Sequence, residues 1–63
     1  MKITYKGKNF HIRGEKELSL FFEKEGIRSG AVFFIDLRSK EVIQRKELLK
    51  SEKVEIKPFI SGG

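Results

Sequence analysis

Five consecutive apolar residues, Ala31-Val32-Phe33-Phe34-Ile35, are rich in β-branched and aromatic side chains and fit a strand covered at least partly on both faces. Such a strand has to sit inside a sheet, so the rest of a 63-residue chain must be arranged to cover it. A chain this short buries only about 60% of the surface its unfolded form exposes, and ordering it costs on the order of 1.5 kcal/mol per residue. The sequence has no cysteine, so no disulfide helps, and zinc ribbons, thiol catalysis and iron-sulfur ligation are excluded with it. One dense domain is all it can support.

The flanking segments supply the cover. Lys2 to Tyr5 alternates polar and apolar, Lys6-Gly7-Lys8-Asn9 is a turn signal, and Phe10 to Arg13 alternates again. A β-hairpin is expected, with Ile3, Tyr5, Phe10 and Ile12 on one apolar face. Beyond Gly14, Leu18, Phe21, Phe22 and Ile27 approximate helical spacing, which predicts a helix over 17–25, with Ser19 a possible cap and Gly26 at the left-handed end. After Asp36 and Leu37, Val42-Ile43 reads as a brief strand, and Glu47-Leu48-Leu49 as a turn of helix packing its leucines inward. Val54, Ile56 and Pro58 then alternate with Glu55, Lys57 and Phe59 as a last strand.

A hairpin, a helix and further strands in so short a chain predict an α+β fold, with one main helix packed across one face of a mixed four- to five-stranded sheet. With the first and last strands paired in the middle, that is the ubiquitin-like β-grasp, the strand order being taken by analogy. Residues 1–59 would form the domain and 60–63 a flexible tail ending in Gly62-Gly63.

The 14 Lys and Arg against 9 Asp and Glu leave +5, which admits nucleic acid, an anionic surface or an acidic protein partner. Both signs are scattered, as in Glu15-Lys16-Glu17, so a solvated surface accounts for most of them. The longest apolar run has five residues, against about 18 for a membrane span, and Met1-Lys2-Ile3 opens no signal-peptide core. A cytoplasmic protein without membrane partners is the expectation.

The last residues, Pro58-Phe59-Ile60-Ser61-Gly62-Gly63, carry the strongest hint of chemistry. At a glycine usage of about 7%, a terminal pair arises by chance in about 0.5% of chains. A frayed end, a cloning scar or a fragment boundary would also give it, although a scar normally brings other tag residues.

Together with a chain length in the mid-sixties, the Met1-Lys2-Ile3 first strand, the Phe21-Phe22 pair, a strand ending at Asp36 and the Val54-Glu55-Ile56 strand running into Gly62-Gly63, this end resembles the ThiS/MoaD family of ubiquitin-like sulfur carriers. Asp36 stands where that family usually has asparagine, and Ser51-Glu52 where it usually has a Gly-Asp turn. The resemblance implies that the Gly63 carboxylate is adenylated with ATP by an E1-like enzyme of the ThiF/MoeB type. Conversion to a thiocarboxylate follows, which donates sulfur to a synthase such as thiazole synthase. It implies a carrier and not an enzyme, with no bound cofactor. Ile60, Ser61, Gly62 and Gly63 would enter the activating enzyme, where the missing Cβ of glycine leaves the carbonyl unhindered. Thiamine thiazole formation, molybdopterin synthesis and tRNA thiolation all share this activated end.

If Phe33 and Ile35 point towards the helix, the pleat sends Val32 and Phe34 to the other face, where they join Phe59 in an apolar partner-binding patch. His11 is the only histidine and lacks companions for a metal site or triad. Asp36, the only aspartate, suits a turn. Gly7, Gly14, Gly26 and Gly30 are scattered and form no phosphate loop. Two other classes compete: a ubiquitin-like modifier joined through Gly63 to target lysines, and a small basic nucleic-acid-binding module. The second ranks lower because it leaves Gly62-Gly63 unexplained and requires Lys2, Lys6, Lys8, Arg13, Lys53 and Lys57 to collect beside exposed rings.

Overall fold

The computed structural model describes residues 1–59. Lys6 and Gly7 turn the chain with both residues at positive φ, 50° and 77°, the mirror-image turn whose twist matches that of a hairpin. Strands β1 (Lys2–Tyr5) and β2 (Lys8–His11) therefore pair antiparallel, with Ile3 opposite Phe10. Ile12 follows just after β2. Its N–H donates to the Met1 carbonyl at 2.8 Å, and the Met1 amine donates to the Ile12 carbonyl at 2.9 Å. Ile3, Tyr5 and Ile12 are buried in one core against which Phe10 packs, so the expected apolar face is formed.

Helix α1 (Glu15–Glu25) starts two residues earlier than the apolar spacing predicts. Its cap is Gly14 in an extended conformation with no side-chain cap bond, so no residue type marks the start. Ser19 is not the cap: it lies one turn inside, where its hydroxyl donates to the Glu15 carboxylate at 2.8 Å. Gly26 ends the helix at φ 68°. The Ile27 N–H bonds back to the Phe22 carbonyl at 2.8 Å, and this returns Ile27 to the core.

A short 3-10 turn (Ser29–Ala31) leads into β3 (Val32–Asp36), which pairs antiparallel with β4 (Glu41–Ile43). A 3-10 helix (Arg45–Lys50) then brings the chain to β5 (Lys53–Pro58). The sheet order is β2-β1-β5-β3-β4, with β1 and β5 parallel at its centre and the other pairs antiparallel. The fold is α+β, a mixed five-stranded sheet with one main helix packed across one face, and it is compatible with the β-grasp arrangement.

The covered face is held by a run of aromatic contacts. Ring centroids lie 4.7 Å apart for Phe10 and Phe21, 6.1 Å for Phe21 and Phe22, and 5.8 Å for Phe22 and Phe34. Leu48 from the 3-10 helix is fully buried beside them, while Leu49 is exposed. The expectation that both leucines pack inward is corrected here, because consecutive helical residues do not share a face. Arg45 lies 4.9 Å over the Phe22 ring and pairs with the Glu15 carboxylate at 2.8 Å, joining the 3-10 helix to the start of α1. Among the described residues, no helix is long and apolar enough to cross a membrane.

Val32 and Phe34 belong to this covered face. Phe34 is 3% exposed and Val32 7%, so their expected place in an outward patch is wrong. The reason is register: β5 aligns Phe34 with Ile56, whose own alternation with exposed Lys57 fixes it in the core. Nothing within β3 decides the matter, since both of its faces are apolar.

Candidate functional site on the open face

The strand residues left over by the core form the opposite face, which no element among the described residues covers. Alternation puts Lys2 and Thr4 of β1, Asn9 and His11 of β2, and Lys53, Glu55 and Lys57 of β5 there. Phe33 and Ile35 of β3 and Val42 of β4 complete it. The Thr4 hydroxyl donates to the Asn9 side-chain oxygen at 2.9 Å across the first strand pair. His11 is exposed, level with Lys2.

Phe59 is drawn onto this face by its backbone. Its N–H donates to the Ala31 carbonyl at 3.0 Å, extending the β3-β5 ladder past Pro58, and its ring lies 5.2 Å from that of Phe33. Phe59 remains 62% exposed. An outward apolar patch therefore exists, built on Phe33 and Phe59 with Ile35 and Val42 beside them, in place of Val32, Phe34 and Phe59. An open groove of about 500 Å³ adjoins it, lined by Phe33, Glu55, Lys57, Pro58 and the Lys6-Gly7 turn. The signal for this patch in the sequence was the pairing of β3 with the cleanly alternating β5, which periodicity within β3 does not contain.

Asp36 has a structural task. Its carboxylate accepts the Arg38 and Ser39 N–H groups at 2.9 and 3.3 Å and the Ser51 hydroxyl at 2.9 Å. The Arg38 amide and the Ser51 hydroxyl hold it below the usual carboxylate range. This clips the β3-β4 turn to the entry of β5, so that Ser51 fills the role of a turn partner that sequence spacing does not reveal. Glu15 is likewise lowered, first by Arg45 and then by Ser19. Among the described residues, no three His, Asp or Glu side chains gather as a metal site. The expected tail residues Ile60, Ser61, Gly62 and Gly63 lie outside the described residues.

This face offers the Phe33 and Phe59 rings beside the ammonium groups of Lys53 and Lys57. Set beside protein-family models, curated proteins and solved structures, the chain matches none of them.

Proposed function

We propose that the chain is a covalent sulfur carrier of the ThiS/MoaD kind, with Gly63 as the group that reacts. In this reading a partner E1-like enzyme binds ATP, and an oxygen of the Gly63 carboxylate attacks the α-phosphate with loss of pyrophosphate. A sulfur nucleophile then displaces AMP from the acyl carbon, leaving a thiocarboxylate. The carrier is not itself an enzyme and acts in the cytoplasm. Thiamine thiazole formation is the pathway proposed, while molybdopterin synthesis and tRNA thiolation use the same end.

The observation that carries the reading is the sequence Gly62-Gly63 following within a few residues of β5, a central strand of a β-grasp-compatible sheet. The Phe33 and Phe59 patch supports it as the surface offered to the activating enzyme, an apolar centre of the kind that docking interfaces bury.

Intact mass spectrometry of untagged protein from its native cells tests it. The expected result is a shift of about 16 Da, sulfur for oxygen, confined to the peptide ending in Gly63. A peptide that continues beyond Gly63 would overturn the reading, as would an unshifted mass together with failure of every E1-like enzyme of the same cells to adenylate the chain. Isopeptide-linked conjugates on target lysines would replace it with the modifier reading.

A further inference from the structure

Strand β5 outlasts its central partner. β1 pairs with it as far as Ile56, level with Tyr5, and then leaves through the Lys6-Gly7 turn. Among the described residues, Lys57, Pro58 and Phe59 therefore have strand pairing from the β3 side alone. There the ladder runs out of donors. Pro58 has no N–H to give, and the Ala31 N–H is spent in the 3-10 turn, where it donates to the Arg28 carbonyl at 2.9 Å. The Phe59 N–H, bonded to the Ala31 carbonyl at 3.0 Å, is thus a single rung without a return bond from Ala31. A second hold comes from the side chain, because the Phe59 and Phe33 rings lie 5.2 Å apart and tilted by 42°, within the range of favourable aromatic pairs.

We infer that Phe59 is a positioning residue for the reaction at Gly63: the rung to Ala31 and the ring on Phe33 fix the point from which the last four residues reach into the activating enzyme. This rests on the carrier reading. Residues 60–63 span at most about 13 Å at about 3.3 Å each, so a fixed root delivers the Gly63 carboxylate within a short, set distance of the start of β3. With the root released, the same carboxylate is spread over a larger volume, and fewer bound complexes hold it in line with the α-phosphate of ATP. That loss falls on kcat, whereas loss of a docking contact through the same ring falls on KM.

Two measurements test the inference. Hydrogen exchange followed by NMR on the full chain needs no partner. The Phe59 amide should exchange at least about tenfold more slowly than an unstructured amide, with the protection at position 59 lost in Phe59→Ala and kept in Phe59→Tyr. Steady-state adenylation by the E1-like enzyme of the same cells, read as pyrophosphate release, should show kcat lowered about tenfold in Phe59→Ala, in addition to any rise in KM from lost docking. Phe59→Tyr should restore kcat, and Phe33→Leu, which removes the partner ring, should lower it in the same direction. A glycine inserted between Ser61 and Gly62 should also lower kcat, because it displaces the reacting carboxylate by about 3.3 Å. An unprotected amide at position 59, a Phe59→Ala loss confined to KM, or an insertion without effect would each overturn the inference while the carrier reading stands. A protected amide in a chain that no E1-like enzyme adenylates would overturn the carrier reading and the inference with it.

Discussion

The two faces of this sheet are made by the same strands and have opposite fates. Ile3, Val54, Ile56 and Phe34 point one way and are sealed beneath α1 and the 3-10 helix, whereas Thr4, Glu55, Phe33 and Ile35, their alternating neighbours, remain half-buried on a face that no element among the described residues covers. Stability is therefore concentrated on the covered side. The apolar residues of β3 lie on both sides, so hydrophobicity alone does not tell a core residue from a docking residue; register does.

The sharpest way to break the comparison is a matched pair within β3. Phe34→Ala removes a ring packed against Phe22 and should cost about 3–5 kcal/mol, enough to unfold much of a domain this small. Phe33→Ala, one residue away, should cost about 1 kcal/mol or less, since that ring faces solvent and Phe59. Urea denaturation of both variants checks this. Equal losses would mean that the open face is as structural as the covered one.

A smaller effect isolates the cover from its side chains. Gly26 ends α1 in the left-handed region and has open space where a Cβ would go, so Gly26→Ala changes backbone strain and nothing else. A loss of about 1–2 kcal/mol is expected from an alanine forced to φ near 68°. Because Gly26 is what lets Ile27 return to the core, hydrogen exchange in this variant should quicken at the C-terminal turn of α1 before it quickens in β1 or β2.

These variants also mark where the sequence was legible. Strong alternation in β1, β2 and β5 carries the hairpin and the covered residues of three strands, because a period of two admits only one assignment when one face is polar; the central pairing of β1 with β5 comes by analogy with the β-grasp and not from alternation. Gly26 likewise announced the helix end. The start of α1 was hidden because Gly14 caps it through backbone conformation alone, and Glu15-Lys16 in its first turn look like any solvated pair. The parity of β3 was hidden because Val32, Phe33, Phe34 and Ile35 offer no polar face to read. The site inherits that gap: Phe59 was visible as part of an outward patch, but its true neighbour Phe33 was assigned inward and Phe34 outward. The Asp36 to Ser51 contact joins residues 15 apart in the chain and leaves no spacing signature.

That contact supports the smallest prediction, which concerns the rim of the covered face. Asp36 accepts two backbone amides and the Ser51 hydroxyl, and its carboxyl is lowered first by the Arg38 amide and then by Ser51. A carboxyl lower in the folded than in the unfolded chain binds its proton more weakly when folded. Its contribution is complete above the unfolded value, about pH 4, and is lost as pH falls through the lower folded value. Thermal melts of the parent protein should therefore fall off below about pH 4 more steeply than those of Asp36→Asn, with the two curves converging at the acid end. Ser51→Ala should flatten the parent curve in part, because it removes the second largest of the causes that lower this carboxyl. Glu15, lowered by Arg45 and Ser19, acts with the same sign, so the slope that survives in Asp36→Asn should shrink further when Glu15→Gln is added. Parallel curves for the parent and Asp36→Asn would show that the clip works through its hydrogen bonds alone and not through its charge. The acid sensitivity of the covered side would then rest on other carboxyls, Glu15 at the start of α1 among them.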